Sequence, residues 1–233
     1  MKNLFTLFGL FIALSISAQD TYFTIYNFTV SNKNVGTVYN LMDDYFSENK
    51  TEGVTVSLYE NHFNDSGNNF THSVVFTGSL DAIGNMYGGG ENTKWELFLT
   101  RTGMFTKGVS SAMGRTIASY GDASTPHPIQ KYFLLDVEDG SAYSAAYEKY
   151  NSEHNPEGRI AALGNISSGH APDGANMWMV NSFKDFKSAM AGVGGLRNEA
   201  NREAHNKARS EYRDTRGESS LVRSGLRILL GQW

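Results

Sequence analysis

The sequence predicts an α+β fold made of two tandem copies of a small β-α-β-β-α-β unit. Three observations predict it. "FSENKTEGV" at 46–54 and "NSEHNPEGR" at 151–159 share Ser47/Ser152, Glu48/Glu153, Glu52/Glu157 and Gly53/Gly158. The match continues from Tyr45 on Tyr150 to Gly89-Gly90 on Gly194-Gly195, and, after a one-residue slip, places Asp81 on Asp185 and Met86 on Met190. Between the copies, "DASTPHPIQ" at 122–130 carries two prolines and reads as a linker. A period near 105 residues is too long for a solenoid repeat and means two copies of a domain, 19–121 and 131–233.

The elements follow in the same order in each copy. "TYFTIYNFTV" (21–30) and "KYFLLDV" (131–137) are rich in aromatic and β-branched residues and predict strands. Val35, Val38, Tyr39, Met42, Tyr45 and Phe46 recur at helical spacing, as do Tyr143, Ala146, Tyr147 and Tyr150. Gly53 and Gly158 stand where each helix gives way to a strand. "VTVSLYE" and "RIAALGNI" are second strands, and third strands are expected at 72–77 and 176–181. Second helices start near Leu80 and Phe183, and short last strands are expected at 114–119 and 225–230. Two stretches exceed this minimum. "ENTKWELFLTRTGMFTKGVSSAM" (91–113) is matched by a polar, helix-favouring run whose narrow apolar stripe is Leu196, Ala200, Ala204, Ala208 and Tyr212. Trp95 and Leu99 take the places of Ala200 and Ala204, so these helices are expected to pack on something, one another included.

This order is that of a ferredoxin-like split βαβ unit, with both helices on one face of an antiparallel sheet. Its strands look apolar on both faces, with Tyr22, Tyr26 and Phe28 on one side of the first and Phe23 and Ile25 on the other. A strand buried on both faces loses polar alternation. The two sheets are therefore expected to face each other as a pseudo-dimeric α/β barrel. The element order and the duplication resemble the dimeric α/β-barrel superfamily in tandem, single-chain form, over nearly the whole mature chain. That superfamily includes antibiotic-biosynthesis-type monooxygenases and chlorite dismutase-like haem proteins. The resemblance carries no catalytic residue over.

Bulk composition bounds the function. The chain has 233 residues, 40% of them hydrophobic and 12% aromatic, enough for a packed core. A net charge of −4 argues against nucleic acid as a partner. Lys2, the apolar run "LFTLFGLFIALSISA" and the small residues to Ala18 read as a signal peptide over 1–18, too short for a membrane span. No later stretch is long and apolar enough to cross a membrane, so no integral segment is expected after cleavage. With no cysteine there is neither a lipidation site nor a disulfide. The protein is expected to be exported, to a bacterial periplasm or the exterior, and to hold together by packing alone.

Two places could carry chemistry. The hairpin "ENHFNDSGNNFTHS" ends one strand at His62 and starts the next at His72, with Glu60 and Asp65 nearby. Two imidazoles and a carboxylate suit a metal site with an open position; the alternative is a solvated loop that happens to hold two histidines. The barrel lumen is the other place. Tyr26, Tyr59, His72, Asn165, Trp178 and Asn181 are its inward candidates, against a plain packed core. The resemblance implies that a haem would need a helix histidine, and His154 and His205 are the ones at hand, neither on an evident apolar stripe. His127 and His170 fall in loops. There is no G-x-S-x-G elbow, "GGGENTK" lacks phosphate-loop spacing, and no motif requires a cofactor.

Three readings stay open: an exported binding or accessory module for a small ligand, a cofactor-independent or metal-assisted oxygenase or isomerase working in the lumen, and an interaction scaffold using the charged C-terminal helix. The sequence leaves open whether the chain is a monomer or a higher oligomer.

Overall fold

The computed structural model describes residues 21–90, 92–169 and 174–233. The expected signal peptide and His170 lie outside them. Repeat 1 runs β1 (Tyr22–Val30), α1 (Val35–Glu48), β2 (Val54–Asn64), β3 (His72–Gly78), α2 (Leu80–Gly88), α3 (Thr93–Gly103) and β4 (Thr106–Tyr120). Repeat 2 runs β5 (Ile129–Val137), α4 (Gly140–His154), β6 (Arg159–Ser168), β7 (Met177–Phe183), α5 (Phe186–Gly195), α6 (Arg202–Thr215) and β8 (Ser219–Gln232).

The eight strands close into one barrel in the order β1-β3-β2-β8-β5-β7-β6-β4, and every pair is antiparallel. Within each repeat the order is that of a ferredoxin-like sheet. The halves join edge to edge: the second strand of each repeat pairs with the last strand of the other, β2 with β8 and β6 with β4. Each sheet thus turns one face to a shared lumen and the other to its own helices.

The written repeat has a backbone reason. Gly53 and Gly158 hold φ of 73° and 78°, the left-handed region that side chains avoid, where each helix hands over to its second strand. Outside the barrel, Val38, Met42 and Phe46 of α1 pack on Phe28, Val56, Leu58, Val74 and Phe76, with Phe98 of α3 above them. In repeat 2, Tyr143 and Tyr147 of α4 pack on Leu135, Val137, Ala161, Leu163 and Met177.

Three expectations are corrected. The last strands span 15 and 14 residues rather than six, because they must reach across both the home sheet and the other repeat. The long polar run forms α6 only from Arg202, and its inner face carries buried His205 and half-buried Ala208 and Tyr212; Ala200 and Ala204 are exposed. Nor do α3 and α6 pack on each other: α3 lies on α1 and α6 on α4.

Candidate functional site

Strand alternation and register fix which side chains enter the lumen. Outward positions are those that meet the helices, so their neighbours along the strand point in. On β7, Met177 and Met179 pack in the outer core, and Trp178 between them points inward to meet Phe23 of β1 edge-on at 5.5 Å. β1 and β7 are not neighbours in the sheet, so this contact crosses the lumen. Trp178 lies over Gly164, where a Cβ would fall 2.3 Å from the indole.

Along the lumen from this apolar wall runs a belt of polar groups over six successive strands. Asn61 Nδ2 (β2) donates to Ser73 Oγ (β3) at 3.3 Å, and Ser73 Oγ donates to Asn27 Oδ1 (β1) at 2.7 Å. Asn27 Nδ2 then donates to Ser110 Oγ (β4) at 3.0 Å. In the other direction Asn61 is the register partner of Arg227 on β8, whose Nε donates to Gln130 Oε1 on β5 at 2.9 Å.

Arg227 is the centre of this site. Its guanidinium lies over the Tyr59 ring at 4.1 Å and faces the Tyr132 ring at 5.9 Å. Burial pulls its proton affinity down, opposed only by Tyr59 and Tyr132; no carboxylate contributes. Burial likewise pushes the Tyr132 hydroxyl up to about 12, although the Arg227 charge works against that. Tyr132 donates to Asn64 Oδ1 and accepts from Asn68 Nδ2, so the β2–β3 hairpin of repeat 1 is tied to the second repeat. Beside it, Ser224 N donates to Asp65 Oδ2, and Arg223 Nη1 pairs with Asp65 at 3.5 Å. The lumen keeps unused bonding capacity: Asn61 Oδ1 in the belt and the Trp178 indole N–H in the wall are buried without partners. Phe23, Trp178 and Arg227 are only partly buried, so the interior is not packed solid.

Of the six inward candidates, the structure brings Tyr59 and Trp178 to the lumen. The other four lie on the outer, helix-bearing face. Tyr26 is half-exposed and bonds Tyr87 of α2 at 2.6 Å, its pKa raised by burial and by that bond. His72 is buried against Phe28, with Nδ1 2.9 Å from Thr71 Oγ1 and Nε2 unpartnered. Asn165 pairs with Met177, on the same outward side. Asn181 accepts from buried Arg159. The cause is the apolar character of both faces, which hides the alternation. Arg227, Tyr132 and Gln130 were missed. The signal that could have found Arg227 is a single charge set in the strand "GLRILL".

The hairpin histidines do not meet as a metal pair. His62 is exposed, with Nδ1 3.2 Å from Glu60 Oε1, whereas His72 is buried and already engaged. Among the described residues no three His, Cys, Asp or Glu side chains gather where they could hold a metal ion.

A second concavity, about 900 Å³, lies outside repeat 2 beside α4, with Arg115, Asn165, Asn176 and Glu148 in its walls. Its amides are spent on backbone: Asn176 bonds both N–H and C=O of Val137, and Asn165 Oδ1 accepts from Arg115 N.

No protein-family model matches the chain, and no curated sequence relative matches it. Solved structures do. A candidate monooxygenase from Fusobacterium nucleatum subsp. nucleatum superposes with a TM-score of 0.60 at 15% identity, covering 91% of this chain and 94% of its own. An anthrone oxidase-like protein gives 0.53 at 11%, covering 92% and 93%. A candidate chlorite dismutase gives 0.52 at 9%, covering 91% and 96%. At such identities the likeness defines the fold: a dimeric α/β barrel in single-chain form.

Proposed function

We propose that the protein binds a small organic anion in the barrel lumen and serves as an exported carrier or accessory module. The observation that carries this reading is Arg227: a part-buried guanidinium with a neutral amide and two phenol rings for company and no carboxylate. Taking a charge out of water without a counter-charge is costly, in proportion to how far it is buried. A cation–π contact returns about 2 kcal/mol when desolvated, and a hydrogen bond to a charged group about 1.5–3 kcal/mol. A carboxylate, enolate or phenolate oxygen on a ligand would supply the missing charge. The wall of Phe23, Ile25 and Trp178 would receive the ligand's apolar part.

The chain beginning at Gln19, titrated calorimetrically with benzoate, phenylacetate and short-chain fatty acids, is expected to bind at least one of them. Arg227→Met should weaken that binding at least tenfold while leaving the fold intact by circular dichroism. No binding by the parent, or equal binding by the variant, would overturn the reading.

An oxygenase or isomerase in the same lumen is the second reading. Arg227 could hold an enolate oxygen there, and two of the similar structures carry monooxygenase or oxidase names. Such chemistry needs a base to take a proton. The described lumen positions present no histidine, and Tyr132 is held near 12, so binding without turnover has the better support. Native mass spectrometry with an absorbance spectrum distinguishes the two: a retained, unaltered guest supports the carrier, and an oxidised product released on incubation with oxygen supports the enzyme.

A further inference from the structure

We propose that the concavity outside repeat 2 is a second binding site, for a zwitterionic aromatic α-amino acid whose ring sits between α4 and β4. The two repeats show why the space exists. In repeat 1 the same place is filled by the chain's own rings. Tyr39 of α1 lies over Gly231 of β8, where a Cβ would fall 3.2 Å from its ring, and meets the Trp233 ring at 6.3 Å. The repeat offset that sets Met42 on Tyr147 sets Tyr39 on Ser144 and Asp43 on Glu148. Trp233 keeps a counterpart: it bonds Val56, and Tyr120 is the register partner of the equivalent Ala161. Tyr39 has none. On the strand side Glu60 pairs with Ile228, and its equivalent Asn165 pairs with Arg115. At one spot, then, repeat 2 has a serine for a ring and an arginine for an isoleucine.

The walls define what the cleft takes. Its volume of about 900 Å³ is that of a small-molecule site. Ile117, Val137 and Met177 give it an apolar part beside Ser144, and repeat 1 demonstrates that this seat accepts a planar ring between helix and strand. The rest is charged. Arg115 on β4, Glu148 on α4 and Glu138 between β5 and α4 all line the cleft and are exposed. Among the described residues none of the three has an ion-pair partner. Asp139, also in the wall, is engaged in capping α4. A simple anion would meet two glutamates and a simple cation would meet Arg115; a zwitterion answers both signs. Its carboxylate goes to Arg115 and its ammonium to Glu148. Asp43, which holds the Glu148 position in repeat 1, already accepts from the Trp233 indole N–H at 2.7 Å, so an acid there can take an N–H beside a seated ring.

The test is calorimetric titration of the chain from Gln19 with L-phenylalanine and L-tryptophan. One saturable site is expected. L-leucine, which lacks the ring, and phenethylamine, which lacks the carboxylate, should each bind about tenfold more weakly or worse. Ser144→Tyr, which restores the ring of repeat 1, should abolish binding with the circular dichroism unchanged. Arg115→Gln should erase the preference for L-phenylalanine over phenethylamine. Arg227→Met should leave L-phenylalanine binding as it is, which separates this site from the lumen. No binding of either amino acid by the parent, equal binding by Ser144→Tyr, or loss in Arg227→Met would overturn the site. If Ser144→Tyr does not fold, the Arg115→Gln comparison decides.

Discussion

The two repeats share a topology and differ in what they place beneath their helices. In repeat 1 the layer is an aromatic stack: Tyr45, Phe46, Trp95, Phe98 and Trp233 lie within 4.5–6.5 Å of one another in successive ring contacts. In repeat 2 the corresponding seats have turned polar. Val54 corresponds to Arg159 and Phe76 to Asn181; Met42 and Phe46 become Tyr147 and Asn151. Each pair stands at the same place in its strand or helix. The first copy demonstrates that hydrocarbon fills these seats. The polar set in the second copy is therefore not demanded by the fold.

The comparison can be broken in several places. The largest effect is expected in the aromatic stack: Phe46→Ala should cost about 3–5 kcal/mol of unfolding free energy, measured by denaturant titration. In repeat 2, Asn181→Leu removes the acceptor of two Arg159 hydrogen bonds and should cost about 3 kcal/mol. The double change Arg159→Val with Asn181→Phe rebuilds the seats of repeat 1 and should recover most of that loss, since apolar replacement of a buried charge is commonly neutral or stabilising. A double mutant as unstable as the single would show that the seats are not equivalent.

A smaller effect follows from His205. Burial, then Arg197, Arg209, His154 and Arg159, hold it down to about 4 from an ordinary 6.5. Those groups, with the Tyr150 hydroxyl, are the ones that face it from α4, β6, α6 itself and the segment before it. The folded state binds fewer protons than the unfolded state between these values. Stability is thus full above about pH 6.5 and falls as pH drops toward 4. With solvent screening the loss should be on the order of 1–2 kcal/mol. His205→Asn should flatten the midpoint against pH across that window, and an unchanged slope would move the effect elsewhere.

The smallest concerns helix starts. Asp139 caps α4 by accepting from Ser141 N and Ala142 N, whereas Asn34 before α1 makes no side-chain cap. Asp139→Ala should cost about 1 kcal/mol, and Asn34→Ala a few tenths. Equal costs would remove this difference between the repeats.

Element order was legible because it rests on local periodicity: the helix of Val38, Met42 and Phe46 and the turn at Gly53 both follow from sequence. What failed needed the third dimension. The sequence reading starts the last strand of repeat 1 too late because "GVSSAM" is too polar to read as strand until β1 is there to pair with it. Tyr26 and Asn181 were placed in the lumen because apolar residues on both faces conceal which parity meets the helices. His205 falls off the apolar stripe read from sequence because that stripe is phased from Leu196 and Ala200, both of which precede the helix. Tyr59 and Trp178 do face the lumen, but the charge beside Tyr59 is not among the expected inward residues: Arg227 stands out through the carboxylate it lacks, and that is invisible before the neighbours are known.

The edge-to-edge closure has one more consequence. The two seams, β2 with β8 and β6 with β4, join one repeat to the other and are indifferent to whether both come from the same polypeptide. Two chains could exchange their second halves and build two barrels in which every seam keeps its register. The short segment between Tyr120 and Ile129 is what keeps each chain closed on itself. Shortening it is expected to favour an interlocked pair that keeps the same seams, seen as a doubled mass by light scattering.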